Sequence, residues 1–128
     1  EVPMHDQSFA SEAWRMVGLT RSLPGVLELA RGRLRFIDED GVRFEATLDD
    51  LSGITFPWYY FGGGMKLTVH GNRYRLAFVR PNDADDVADR LASRIGDDGA
   101  ALRQVVVKVT DIRDGRAIGK RWRDLLVG

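Results

Sequence analysis

Between Trp14 and Val79 apolar residues recur mainly at every second position, and turn signals interrupt them every six to ten residues. That is the pattern of short, half-buried β-strands. Trp14, Met16, Gly18 and Thr20 alternate with Arg15, Val17 and Leu19; Pro24-Gly25 then reads as a turn before the short strand Val26 to Leu29. After Arg31-Gly32, Leu34 and Phe36 oppose Arg33, Arg35 and Ile37, and Asp38-Glu39-Asp40-Gly41 forms an acidic hairpin turn. Val42, Phe44, Ala46 and Leu48 give the cleanest alternation, and Ile54 and Phe56 mark the next strand. Met65, Leu67 and Val69 precede a hairpin signal at Gly71-Asn72, and Tyr74, Leu76 and Phe78 follow it. About seven strands result. Residues 1–11 show no clear period and read as a tail, with a single domain over 12–128.

At Arg80-Pro81 the period changes. Ala84, Val87, Ala88, Leu91 and Ile95 recur at three and four, which predicts an amphipathic helix over about 82–95, with Asn82 or Asp83 as N-cap. Leu102, Val105, Val109, Ile112, Gly119, Trp122 and Leu126 continue that spacing and predict a second helix over about 101–126. The β-branched run Val105 to Val109 makes a strand the competing reading there; helix is preferred because the spacing runs through it. Gly115 and Gly119 weaken that helix by about 1 kcal/mol each unless they permit close packing.

Length and charge narrow the picture further. A chain of 128 residues is about one domain, long enough to bury roughly two thirds of its unfolded surface. With no cysteine there is no disulfide, thiolate site or cysteine nucleophile. Apolar runs fall far short of the ~20 residues that span a bilayer. No basic-then-apolar signal opens the given sequence, and Glu1 leaves room for an upstream segment. The expected location is the cytoplasm, or the cytoplasmic face of a membrane. Nineteen cations balance nineteen anions, which argues against nucleic acid as a partner. The balance is local only in the strand region: residues 81–100 carry two cations and six anions, residues 101–128 seven and three. The two helices are therefore expected to attract one another, or to give one molecule faces of opposite sign.

The strands followed by C-terminal helix resemble the pleckstrin-homology superfold, in its GRAM-like branch. The residues carrying the likeness are Gly25-Val26-Leu27-Glu28-Leu29, Arg33-Leu34-Arg35-Phe36, Phe44 to Leu48, Asp50 to Ile54, and Tyr74 to Phe78. Leu51-Ser52-Gly53 between Asp50 and Ile54 departs from that pattern. The stretch Phe56 to Phe61 and the ending Gly115-Arg116 … Gly119-Lys120-Arg121-Trp122 are similar to small bacterial PH-like proteins. The resemblance implies an α+β fold: a PH-like barrel of two orthogonal sheets, about seven antiparallel strands in all, closed at one corner by helix. The second helix would be an addition. It also implies a lipid- or protein-binding module.

Catalytic signatures are missing. His5 and His70 have no second histidine at ligand spacing, and no serine sits in a nucleophile-elbow motif. The acidic hairpin lacks the length of a calcium loop and its terminal Glu. Gly62-Gly63-Gly64-Met65-Lys66 lacks phosphate-loop spacing and precedes a strand, so it reads as a turn. The expectation is a non-enzymatic module with no cofactor and no metal.

Binding signals are stronger. Trp58, Tyr59, Tyr60 and Phe61 are consecutive aromatics beside three glycines; in a strand, two would leave the core side and anchor a partner. The competing reading packs them over the barrel's open end or under the added helix. Arg31, Arg33 and Arg35, with Arg15 and Arg21 upstream, form an arginine cluster in which Arg33 and Arg35 share a face and could clamp a phosphate. On the last helix Arg116, Lys120 and Arg123, together with Arg113, make a basic stripe. Protein–protein contact through the aromatics is the leading expectation. Anionic lipid held by the arginine clusters is the alternative.

Overall fold

The computed structural model describes residues 8–81, 87, 106–109 and 111–127. The fold is α+β: a seven-strand antiparallel sheet, not closed, with one C-terminal helix. Strands β1 (Phe9–Val17), β2 (Arg21–Ala30), β3 (Arg33–Asp38), β4 (Gly41–Thr47), β5 (Leu51–Thr55), β6 (Gly64–Val69) and β7 (Asn72–Ala77) run in spatial order β4-β3-β2-β1-β7-β6-β5. β8 (Val106–Val107) pairs in parallel with Ala10 and Ser11 of β1, and helix α1 spans Ile112–Leu126. β1 meets β2 along its whole length but β7 only at Trp14↔Ala77 and Arg15↔Leu76. The sheet curls back on itself there: the rings of Phe44 on β4 and Tyr74 on β7, with three strands between them in the order, lie 4.7 Å from each other.

Several expectations change. The expected helix over 101–126 does not exist as one element: Val106 and Val107 are strand, and helix begins only at Ile112. The β-branched run found a sheet edge to pair with, and tertiary pairing overrode the helical spacing. Asp111 caps α1, its carboxylate accepting the Asp114 amide at 2.8 Å. The expected helix over 82–95 lies outside the described residues except for Val87, which is buried against Ala10, Trp14 and Val26. β1 starts at Phe9, inside the stretch expected as a tail, and ends at Val17, so Gly18 and Thr20 are not strand but turn.

Pro24-Gly25 is not a turn but the buried middle of β2. The ladder to β3 begins only at Gly25↔Asp38, so Pro24 sits beyond the end of that neighbour, and its missing N–H forfeits no bond on that side. A Cβ on Gly25 would overlap the Phe36 ring, so glycine here serves close packing. Val42 keeps its strand but not its burial. A register shift pairs Ile37 with Val42 where Phe36 pairs with Phe44, skipping Arg43, and Val42 is left 52% exposed.

The main core joins Leu27, Leu34, Phe36, Phe44, Met65, Leu67, Leu76 and Phe78 to Ile118, Trp122 and Leu125 of α1. Trp122 is the keystone. It packs 4.9 Å from the Phe9 ring and donates its indole N–H to the buried Ser11 hydroxyl at 2.8 Å. Gly115 and Gly119 do permit close packing: a Cβ on Gly115 would stand 2.6 Å from the Phe78 carbonyl oxygen, and one on Gly119 would overlap the Gly62 carbonyl. The helix therefore lies directly on the backbone of the Gly62 segment and of the residues after β7.

Candidate functional site

The aromatic stretch is not a strand. Pro57 leads into a single 3₁₀ turn, Trp58–Tyr60, closed by hydrogen bonds from the Tyr60 amide to the Pro57 carbonyl and the Phe61 amide to the Trp58 carbonyl. In a 3₁₀ turn successive side chains fan around the axis instead of alternating between two faces. Three of the four consequently reach solvent: Trp58 is 80%, Tyr59 48% and Phe61 65% exposed. Tyr60 is half-buried and anchors the turn, its ring over Gly64, where a Cβ would come within 2.7 Å. Of the three glycines, Gly62 and Gly63 lie in the turn, while Gly64 already opens β6. The Gly63 amide bonds the Tyr60 carbonyl at 2.8 Å, and the Gly63 carbonyl accepts the Phe78 amide at 2.7 Å.

Phe61 is in the left-handed region at φ 51°, an unfavourable conformation for a bulky residue that the surrounding structure must impose. Its ring meets the Arg116 guanidinium 5.8 Å away on α1. Lys66 donates to the Tyr59 hydroxyl at 2.8 Å, which holds the lysine above its ordinary pKa; nearby Arg75 acts in the opposite direction. Beside the turn lies a cavity of about 450 Å³, lined by Met16, Tyr60, Phe61, Leu76, Val79 and Ile112 among others. Its apolar rim is continuous with the exposed Phe61 and with Ile112, itself 57% exposed.

The arginine cluster comes apart. Arg31 is exposed in the β2–β3 turn at φ 54°, followed by Gly32 at φ 74°, the two positive φ values of a tight hairpin. Arg33 is exposed at the start of β3. Arg35 lies on the same face, as expected, but is half-buried, its Nε engaged in donating to the buried Glu28 carboxylate on β2. Neighbouring Asp38, also buried, accepts from Arg43 Nε at 2.8 Å and from the Asp40 amide at 2.9 Å, which makes the acidic hairpin a self-contained ion-paired turn. Arg116, Lys120 and Arg123 are exposed on α1, and only Arg116 joins the aromatic turn. The acidic helix expected to face that stripe lies outside the described residues.

A grouping that the sequence pattern did not single out appears on the polar face of β6 and β7. Lys66 stands opposite Arg75, and Thr68 opposite Arg73. With Arg15, Thr55 and the Gly18 backbone they line a second concavity of about 630 Å³. The available signal was the pair Lys66-x-Thr68 and Arg73-x-Arg75 on the polar side of two strands joined by a tight hairpin. That hairpin turns at His70-Gly71, one residue earlier than expected, with both φ positive. His70 is thus an exposed turn residue. Among the described residues no three metal-ligating side chains converge. No helix among them is long and apolar enough to cross a membrane. No family model matches the chain, and no curated protein is significantly similar to it.

Proposed function

We propose that this chain is a non-enzymatic, pleckstrin-homology-like binding module that docks a protein partner on the Trp58–Phe61 turn. The observation that carries the reading is the turn itself. Trp58, Tyr59 and Phe61 are held in solvent by a glycine-packed backbone with one strained residue, beside an apolar cavity. Aromatic side chains fixed in this way lose little entropy on binding and are the typical anchors of interface hot spots. The strand order β4-β3-β2-β1-β7-β6-β5, the narrow β1–β7 seam and a helix lying across the shared core support the PH-like part. In this reading β4 to β1 and β7 to β5 are two orthogonal sheets.

A second reading, a peripheral membrane module for anionic lipid, is favoured by the cations set among those aromatics. Lys66 bonds Tyr59, and Arg116 lies over Phe61. Two measurements separate the readings. Trp58→Ala and Phe61→Ala, with melting temperatures near wild type, should lose a protein retained from cell extract, while Leu19→Ala, at a 97% exposed site elsewhere, keeps it. Salt-sensitive co-sedimentation with anionic vesicles that Trp58→Ala abolishes would replace the protein reading by the lipid one.

A further inference from the structure

The polar concavity on β5, β6 and β7 has the composition of an anion site. Residues directly opposite in an antiparallel pair share a face with Cβ atoms about 5 Å apart, and like charges so placed repel. Lys66 opposite Arg75 is such a pair, with Arg73 one step further along the same face of β7. No carboxylate is among the described residues lining the concavity. The bonds two of them make go to neutral acceptors, Arg75 to the Gly18 carbonyl at 2.6 Å and Lys66 to the Tyr59 hydroxyl. These contacts orient the cations without neutralising them. Arg15, on the same lining, has its Nε buried with no hydrogen-bond partner. A buried donor left unmade costs free energy. Thr55 and Thr68 add hydroxyl donors.

We propose that this concavity binds a phosphate-bearing anion, at a site separate from the aromatic turn. Guanidinium forks and hydroxyls match phosphate oxygens. At about 630 Å³ the space exceeds one phosphate and suits a phosphorylated small molecule or a lipid headgroup with more than one anionic group. Burial and the neighbouring Arg43 hold Arg15 below the usual arginine pKa against the opposing pull of Asp38, and a bound anion would add to that pull.

The test titrates inorganic pyrophosphate into the isotope-labelled full chain at low salt, following backbone amides by NMR. Saturable shifts at Lys66, Thr68 and Arg73 are expected. Arg73→Ala and Thr68→Val, both with melting temperatures near wild type, should weaken binding tenfold or more. Trp58→Ala should bind as wild type, which separates this site from the aromatic turn. A second arm uses phosphatidylcholine vesicles carrying phosphatidylinositol phosphate or, at equal charge, phosphatidylserine. Vesicle binding that Arg73→Ala abolishes assigns a lipid headgroup; pyrophosphate binding without vesicle binding assigns a free phosphorylated ligand. No binding in either arm, or binding that Arg73→Ala and Thr68→Val leave unchanged, overturns the proposal.

Discussion

The cations of β3 and β4 and those of β6 and β7 arise from the same alternation of polar and apolar residues, yet they meet opposite electrostatic surroundings. Arg35 lies across from Glu28 on β2 and from Glu45 on β4, and Arg43 reaches Asp38 and Asp40. Both find a carboxylate, and two of these carboxylates, Glu28 and Asp38, are buried, while Arg33 on β3 lies across from Ala30 and Thr47. Lys66, Arg73 and Arg75 lie across from one another or from threonine. The difference teaches that an arginine count says little about anion binding until cross-strand register is known. The strands richest in arginine near the start of the chain have largely neutralised it. The candidate site lies where register sets cation against cation.

The largest effect should come from breaking the support under the β5–β7 half. Gly119→Ala drives a methyl into the Gly62 carbonyl, so α1 must lift from the segment that holds the aromatic turn. The gain of about 1 kcal/mol in helix propensity is outweighed by overpacking, for a net loss of about 2 kcal/mol or more in urea unfolding. Stability equal to wild type would show that α1 does not rest on that backbone.

Glu28→Gln on the other half leaves half-buried Arg35 without its charge partner. A loss of about 1 to 2 kcal/mol is expected, partly recovered by Glu28→Gln combined with Arg35→Met. Arg73→Glu sharpens the contrast. It should leave stability within about 0.5 kcal/mol or raise it slightly, because it relieves repulsion instead of breaking a pair. A destabilisation matching that of Glu28→Gln would erase the distinction between the two faces.

The smallest effect concerns Lys66. Tyr59→Phe removes the acceptor that raises its pKa, so the lysine should titrate closer to its ordinary value, as read by NMR of the side chain. Because the folded value is the raised one, this contact's stabilisation is present below the ordinary lysine pKa. It is lost as pH rises through the folded one. At an exposed site the stability change should be small.

The alternation of Met65, Leu67 and Val69 against Lys66 and Thr68 identifies β6 from sequence, and buried Phe36, Phe44 and Ala46 follow equally well. In each case a side chain's face depends only on its parity along the strand. Parity fails where geometry is non-local. Val42 has the right period, but a bulge at Arg43 turns it outward. Val106 and Val107 lie inside a segment of helical spacing, but Ala10 and Ser11 offered them an edge. Pro24-Gly25 reads as a turn, but the fold required a bare backbone against Phe36. At the candidate surface, the four aromatics and three glycines are conspicuous in the sequence. The 3₁₀ turn that exposes three of those rings is not, because it depends on Gly64 beneath Tyr60 and on Gly119 against Gly62.

By itself the sequence determined the class of the fold, the seven strands, the final helix and the absence of thiol chemistry. These follow from local periodicity and composition, which each segment carries alone. Only the tertiary structure decided which cations are neutralised and which converge, which aromatics reach solvent, and where glycine serves packing instead of turning. Each of those depends on what lies across a strand pair or beneath a helix, and the partners are as far apart in the chain as Ser11 and Trp122.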